Sequence, residues 1–117
     1  MLLDFNHMPE ESFPHFKNGD GSLEGKMFFD GANRILHGRL TPGSSIGLLK
    51  HEGNCEIIYV LSGHGKMHYD GTIEELDPGM CTYCPEGHQH MLVNEGPEDL
   101  VYFAVVPKQY AHKDYSQ

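Results

Sequence analysis

Short β-branched and aromatic runs, interrupted every few residues by glycine, proline, asparagine or aspartate, constrain the fold of this chain more than any other feature. From Glu24 onward they are Lys26 to Phe29, Arg34 to Thr41, Ile46 to His51, Glu56 to Leu61, Gly65 to Tyr69, Thr72 to Leu76, Met80 to Cys84, His90 to Asn94 and Leu100 to Val106. No stretch holds a convincing helical period. Nine short strands at this spacing predict an all-β sandwich or barrel. Tyr69-Asp70-Gly71-Thr72 is the clearest hairpin, since Asp-Gly suits the tight turn whose twist matches its strands.

A length of 117 residues allows one domain and one core. Residues 1–22 read as an extended arm whose Leu2, Leu3, Phe5, Phe13 and Phe16 pack on the body or on a partner subunit; residues 23–107 form the barrel; residues 108–117 form a polar tail. His7 and His15 lie in the arm and are assigned to its surface or packing. The formal charge of -9, with no Lys/Arg cluster in the sequence, argues against a nucleic-acid or anionic-membrane surface. No apolar run approaches a membrane span, and the amino terminus lacks the basic and apolar regions of a signal peptide, so a cytoplasmic location is expected. Three cysteines do not form a disulfide framework, and Cys81 and Cys84, three apart on a strand, point to opposite faces and are expected to be buried thiols and not a metal or redox pair.

The run Cys55 to Gly63 reads as a central strand buried on both faces, yet it opens with a carboxylate, Glu56. A buried acid needs a cation or a hydrogen-bond network. His51 lies five residues earlier, across a Gly-Asn turn. Strand alternation aligns Leu49 with His51, Glu56 with Ile58 and Val60, and His88 with His90 and Leu92. If these strands cross one barrel interior, His51, Glu56 and His90 converge. Two imidazoles and a carboxylate make a facial donor set that suits iron, manganese, zinc or nickel and leaves positions open for a ligand. The competing arrangement is a metal-free cluster in which the three groups bond to one another; any left unsatisfied would cost about 1–3 kcal/mol.

The residue order over Gly43 to Asn94 resembles the cupins, whose motifs run G-x(5)-H-x-H-x(3,4)-E-x(6)-G and G-x(5)-P-x-G-x(2)-H-x(3)-N. Gly43, His51, Glu56 and Gly63 fit the first motif, with Leu49 where its first histidine is expected; Gly79, Pro85, Gly87, His90 and Asn94 fit the second throughout. The resemblance implies a jelly-roll β-barrel, the double-stranded β-helix, with His51, Glu56 and His90 as metal ligands and nothing carried over at Leu49. It also implies a common dimeric state, which the two-sided apolar run Ile57 to Leu61 supports independently.

His88 is a further candidate ligand, about 6.6 Å along the strand from His90, and otherwise lines the pocket mouth. Leu49, His37 and Tyr83 are pocket candidates, Tyr83 and His88 also being candidate proton donors. His64 and His68, about 13 Å apart, are read as solvated hairpin residues. Two functions fit: a metal-dependent enzyme acting on a small oxygen-bearing metabolite, of dioxygenase, isomerase, decarboxylase or lyase type, or a binding or sensor protein that holds a carbohydrate or organic acid in the same pocket.

Overall fold

The computed structural model describes residues 1–109. Its strands are β1 (Glu11–Pro14), β2 (Ser22–Phe29), β3 (Asn33–Leu40), β4 (Leu49–Lys50), β5 (Glu56–Ser62), β6 (Gly65–Tyr69), β7 (Thr72–Leu76), β8 (Cys81–Cys84), β9 (Gln89–Val93) and β10 (Leu100–Pro107). They form two antiparallel sheets, one of six strands ordered β1-β2-β3-β10-β5-β8 and one of four ordered β4-β9-β6-β7. Alternate residues of both sheets turn inward, where Leu36, Leu40, Ile58, Val60, Met67 and Leu92 make the dry centre. No described helix is long and apolar enough to cross a membrane.

The hairpin expected at Asp70-Gly71 joins β6 to β7. Both residues have positive φ, 45° and 82°, as the primed turn requires, and Tyr69 sits opposite Thr72. Two expectations change. The strand expected over Ile46 to His51 shrinks to Leu49–Lys50, because the chain around its start is tied at Ser45 and Gly47 to the amino-terminal arm. Ser45 N–H donates to the Asp20 carbonyl and Gly47 N–H to that of Phe16, at 2.8 and 3.2 Å. At Gly47 a Cβ would stand 1.7 Å from the Lys17 carbonyl oxygen, so only glycine admits this approach. Lys17 is thereby pressed towards the barrel mouth.

The arm itself adds an edge strand, with Phe13 opposite Leu23 and Pro14 ending the pairing. Arg39 holds it in place: Nε and Nη2 donate to the two Glu10 oxygens, and Nη1 donates to Asp99 at 3.0 Å. Of the expected polar tail, residues 110–117 lie outside the described residues.

The central strand β5 is not buried on both faces within one chain. Ile58 and Val60 are sealed, whereas Ile57, Tyr59 and Leu61 are 40%, 43% and 43% exposed. Their face is the outside of the large sheet, over which the described residues lay no second layer.

Candidate metal centre and cavity

Three segments bring their donors together. Glu56 opens β5 in the six-stranded sheet, His90 lies in β9 of the four-stranded sheet, and His51 sits in the connection between β4 and β5. His51 is fixed by an exchange of backbone bonds, its N–H donating to the His88 carbonyl at 2.9 Å and its own carbonyl accepting from Gly87 at 2.8 Å. Nε2 of His90 lies 2.8 Å from Oε1 of Glu56, Nε2 of His51 lies 3.2 Å from the same oxygen, and the two Nε2 atoms are 2.9 Å apart. Both histidines are buried.

His51 Nδ1 is 2.6 Å from Oδ1 of Asn54. An amide oxygen only accepts, so the proton sits on Nδ1 and the Nε2 lone pair of a neutral ring faces the cluster. One proton can serve one edge of such a triangle at a time, whereas a cation serves all three donors. Donors held at right angles about 2.1 Å from an ion would lie about 3.0 Å apart, close to the three separations observed. The residues therefore fit a divalent transition metal. Burial opposes charge on His51, but bonds to Glu56 and Asn54 outweigh it and raise the imidazole above its ordinary value. Burial pushes Glu56 up, and its contacts with the His51 and His90 imidazoles, which donate when protonated, more than reverse this, keeping it a carboxylate.

Cys84, expected only as a buried thiol, is opposite Glu56 across the β5–β8 ladder. His51, Cys84 and His90 offer donor atoms all within 4.8 Å of one another. Burial, aided by the Glu56 charge, pushes this thiol up to about 11, so without a metal it stays protonated. Cys81, also expected to be buried, faces solvent, as alternation requires.

Leu49 pairs with His90 across the β4–β9 ladder and lines a cavity of about 180 Å³ that reaches His51 and Glu56. The other candidates fall elsewhere. His37 is on the outer face of β3, because Leu36, Gly38 and Leu40 take the inward positions, and its ring packs 5.8 Å from Phe5. Tyr83 is 54% exposed beside Ile57, since Thr82 and Cys84 are the inward residues of β8. His88 precedes β9, so strand alternation does not aim it inward; it stacks on Tyr69 at 5.7 Å and pairs with Asp70. His64 lies at the surface between Asp77 and Glu75.

Two cavity residues were not singled out from sequence. Tyr102 alternates inward with Leu100 and Ala104 on β10, and its phenol lies over Gly38, where a Cβ would stand 2.6 Å from the ring. Its hydroxyl is buried and has no partner among the described residues, and burial together with Glu56 raises its pKa well above the ordinary value. Arg34, inward on β3, faces the same cavity with a buried Nε that is also unpartnered, while its guanidinium lies 5.4 Å from the Phe29 ring. Alternation alone places Arg34 on the face of Leu36 and Tyr102 on that of Leu100 and Ala104, but only the β3–β10 register sets Gly38 opposite the ring.

A small antiparallel double-sheet barrel, with a buried His-Glu-His cluster facing an internal cavity, is the class these observations define. The chain belongs to the cupin family, residues 36–106 matching the cupin domain model. It is 30% identical over 112 residues to the oxalate-binding protein of Thermotoga maritima, spanning 91% of this chain and 93% of that protein. A crystal structure of a predicted oxalate decarboxylase from Thermotoga maritima matches with a TM-score of 0.86 at 30% identity, covering 92% of this chain and 99% of the other. An RmlC-like cupin from Shewanella frigidimarina, 17% identical with a TM-score of 0.74 over 91% and 88% of the two chains, shares the fold.

Proposed function

We propose that this cupin binds a small organic acid anion, oxalate first among them, at a divalent metal held by His51, Glu56 and His90. The observation that carries the reading is the closed triangle of donor atoms at 2.8, 2.9 and 3.2 Å beneath the cavity. Iron, manganese, zinc and nickel all suit this donor set. The ion would supply Lewis acidity and positive charge to ligand oxygens. Asn54 sets the ring of His51, and Glu56 offsets part of the metal charge. Leu36, Leu49 and Ala104 exclude water from the walls, which strengthens each polar contact made there. Arg34 Nε–H and the Tyr102 hydroxyl are donors without acceptors, as an anion site requires. The name of the Thermotoga maritima relative supports oxalate as the first ligand to try.

A catalytic reading stands beside the binding one, because the metal donors Glu56 and His51 and the Tyr102 hydroxyl face the same cavity, where a bound ion and a neutral hydrogen-bond donor would together draw charge from a bound acid. Elemental analysis of protein purified without added metal, followed by calorimetric titration of oxalate before and after chelation, tests the proposal. One ion per chain and oxalate binding that disappears on chelation are expected; unchanged binding after chelation overturns it. Release of carbon dioxide from oxalate would separate enzyme from binding protein.

The barrel is further proposed to pair as a homodimer through the outer face of the large sheet, where Ile57, Tyr59, Leu61 and Tyr83 are exposed together. Sedimentation as a monomer at micromolar concentration refutes this. Free thiols at Cys55, Cys81 and Cys84 support a reducing, cytoplasmic setting.

A further inference from the structure

Of the seven lysines and arginines among the described residues, four border two adjoining hollows that share Lys17 and Arg34. The sequence holds 8 lysines and arginines against 17 acids. Lys17, Arg34 and Lys50 line the inner cavity, and outside it a second hollow of about 390 Å³ shares Lys17 and Arg34 and adds Lys108. The acids bordering the two are Glu52 and the buried Glu56. Among the described residues neither Lys17 nor Arg34 has a carboxylate partner; each is held by an aromatic ring, Lys17 by Phe16 at 5.5 Å and Arg34 by Phe29 at 5.4 Å.

Arg34 is the informative one. Its guanidinium is supported through Phe29, while Nε, one corner of the donor fork that grips a planar carboxylate, is buried and unbonded. A buried Nε–H left open loses hydration without recovering a bond. The inner cavity of about 180 Å³ is smaller than the roughly 300 Å³ at which ligand pockets usually begin, and the outer hollow exceeds that threshold. A ligand of oxalate's size would occupy the inner space and leave the outer hollow empty.

We infer that the outer hollow is a second anion subsite and that the preferred ligand is a linear dicarboxylate longer than oxalate, one carboxylate at the metal donors and the other on Arg34 and Lys17. This rests on the proposed metal-dependent acid binding and extends it to ligand length. The cations also raise the local concentration of anions around a molecule whose net charge of -9 would otherwise repel them.

The test is calorimetric titration of metal-loaded protein with oxalate, malonate, succinate, glutarate and adipate, with phosphoglycolate to ask whether the outer group can be a phosphate. One of the longer diacids is expected to bind at least about tenfold tighter than oxalate. Ala32 lines the outer hollow and not the inner cavity, so Ala32→Phe should abolish that advantage while leaving oxalate affinity within about twofold. Arg34→Gln should cost the long diacid about tenfold more than it costs oxalate. Oxalate binding with affinity flat or falling along the series overturns the inference and leaves the proposed function standing. Equal losses for oxalate and the long diacid in both variants, each checked for an unchanged melting curve, overturn it as well. Tighter binding of phosphoglycolate than of every diacid refutes the dicarboxylate assignment. Failure of every acid, oxalate included, removes the proposed function on which the inference rests.

Discussion

Tyr102→Phe should stabilise the ligand-free protein and weaken ligand binding, two effects of opposite sign from one oxygen atom. The phenol is fully buried between Gly38 and Val60, and its hydroxyl finds no acceptor among the described residues. An unsatisfied buried polar group costs about 1–3 kcal/mol, and replacement by phenylalanine removes that cost while keeping the ring. Unfolding entropy of about 2.1 cal/mol/K per residue gives a chain of this length roughly 0.25 kcal/mol/K, so a gain of 1 kcal/mol raises Tm by about 4 °C. With the proposed metal and oxalate bound, the hydroxyl would donate to a charged acceptor. Losing a bond worth about 1.5 kcal/mol or more weakens affinity about tenfold. Differential scanning calorimetry without ligand and isothermal titration with it measure both. A fall in Tm would show that the hydroxyl is bonded in the free protein, and an unchanged oxalate affinity would show that it does not face the ligand.

Other substitutions probe the metal donors and the arm. Asn54→Ala removes the acceptor that orients His51 and should weaken metal binding by about 10–100-fold, read by competition with a chromophoric chelator. Leu49→His, opposite His90 and lining the cavity, should tighten metal binding by about tenfold in the same assay. His88→Ala should leave it within about twofold, because His88 is engaged with Asp70 and Tyr69; equal losses for His88→Ala and His90→Ala would place His88 among the ligands. Hydrogen bonding from Arg39 lowers the Glu10 pKa below 4.5, so the stability this pair lends β1 is complete above that pH and is lost as pH falls through the lowered folded value. Amide exchange in Glu11–Pro14 should therefore accelerate in acid, and Arg39→Ala should remove the pH dependence.

Strand alternation and turn chemistry carried most of the fold, because burial on one sheet face imposes a period of two that the sequence must display. Glu56 announced itself as an acid opening an apolar strand, and His90 followed from motif spacing. That His37 and Tyr83 lie outside the cavity was not legible, because the sequence does not show which parity of each strand faces inward, and a one-residue change of parity moves a side chain to the other side of the sheet. His88 has the parity of His90 but precedes β9, so alternation does not govern it. Tyr102 and Arg34 became visible only once β3 and β10 were paired, since Gly38 makes room for a ring that is 64 residues away in sequence. The edge strand Glu11–Pro14 escaped because its pairing with β2, rather than any period of its own, makes it a strand.

Glu56 and His90 stand in different sheets, 34 residues apart, with His51 on the link between β4 and β5. Any ion bound to all three would couple the two layers of the barrel, and unfolding would have to release it. Each tenfold rise in free metal above the dissociation constant would then add about 1.4 kcal/mol to the apparent stability. Melting temperatures of different preparations would record the metal content of the medium in which the cells grew, and a chelator would slacken the mouth of the barrel before it disturbed the far end.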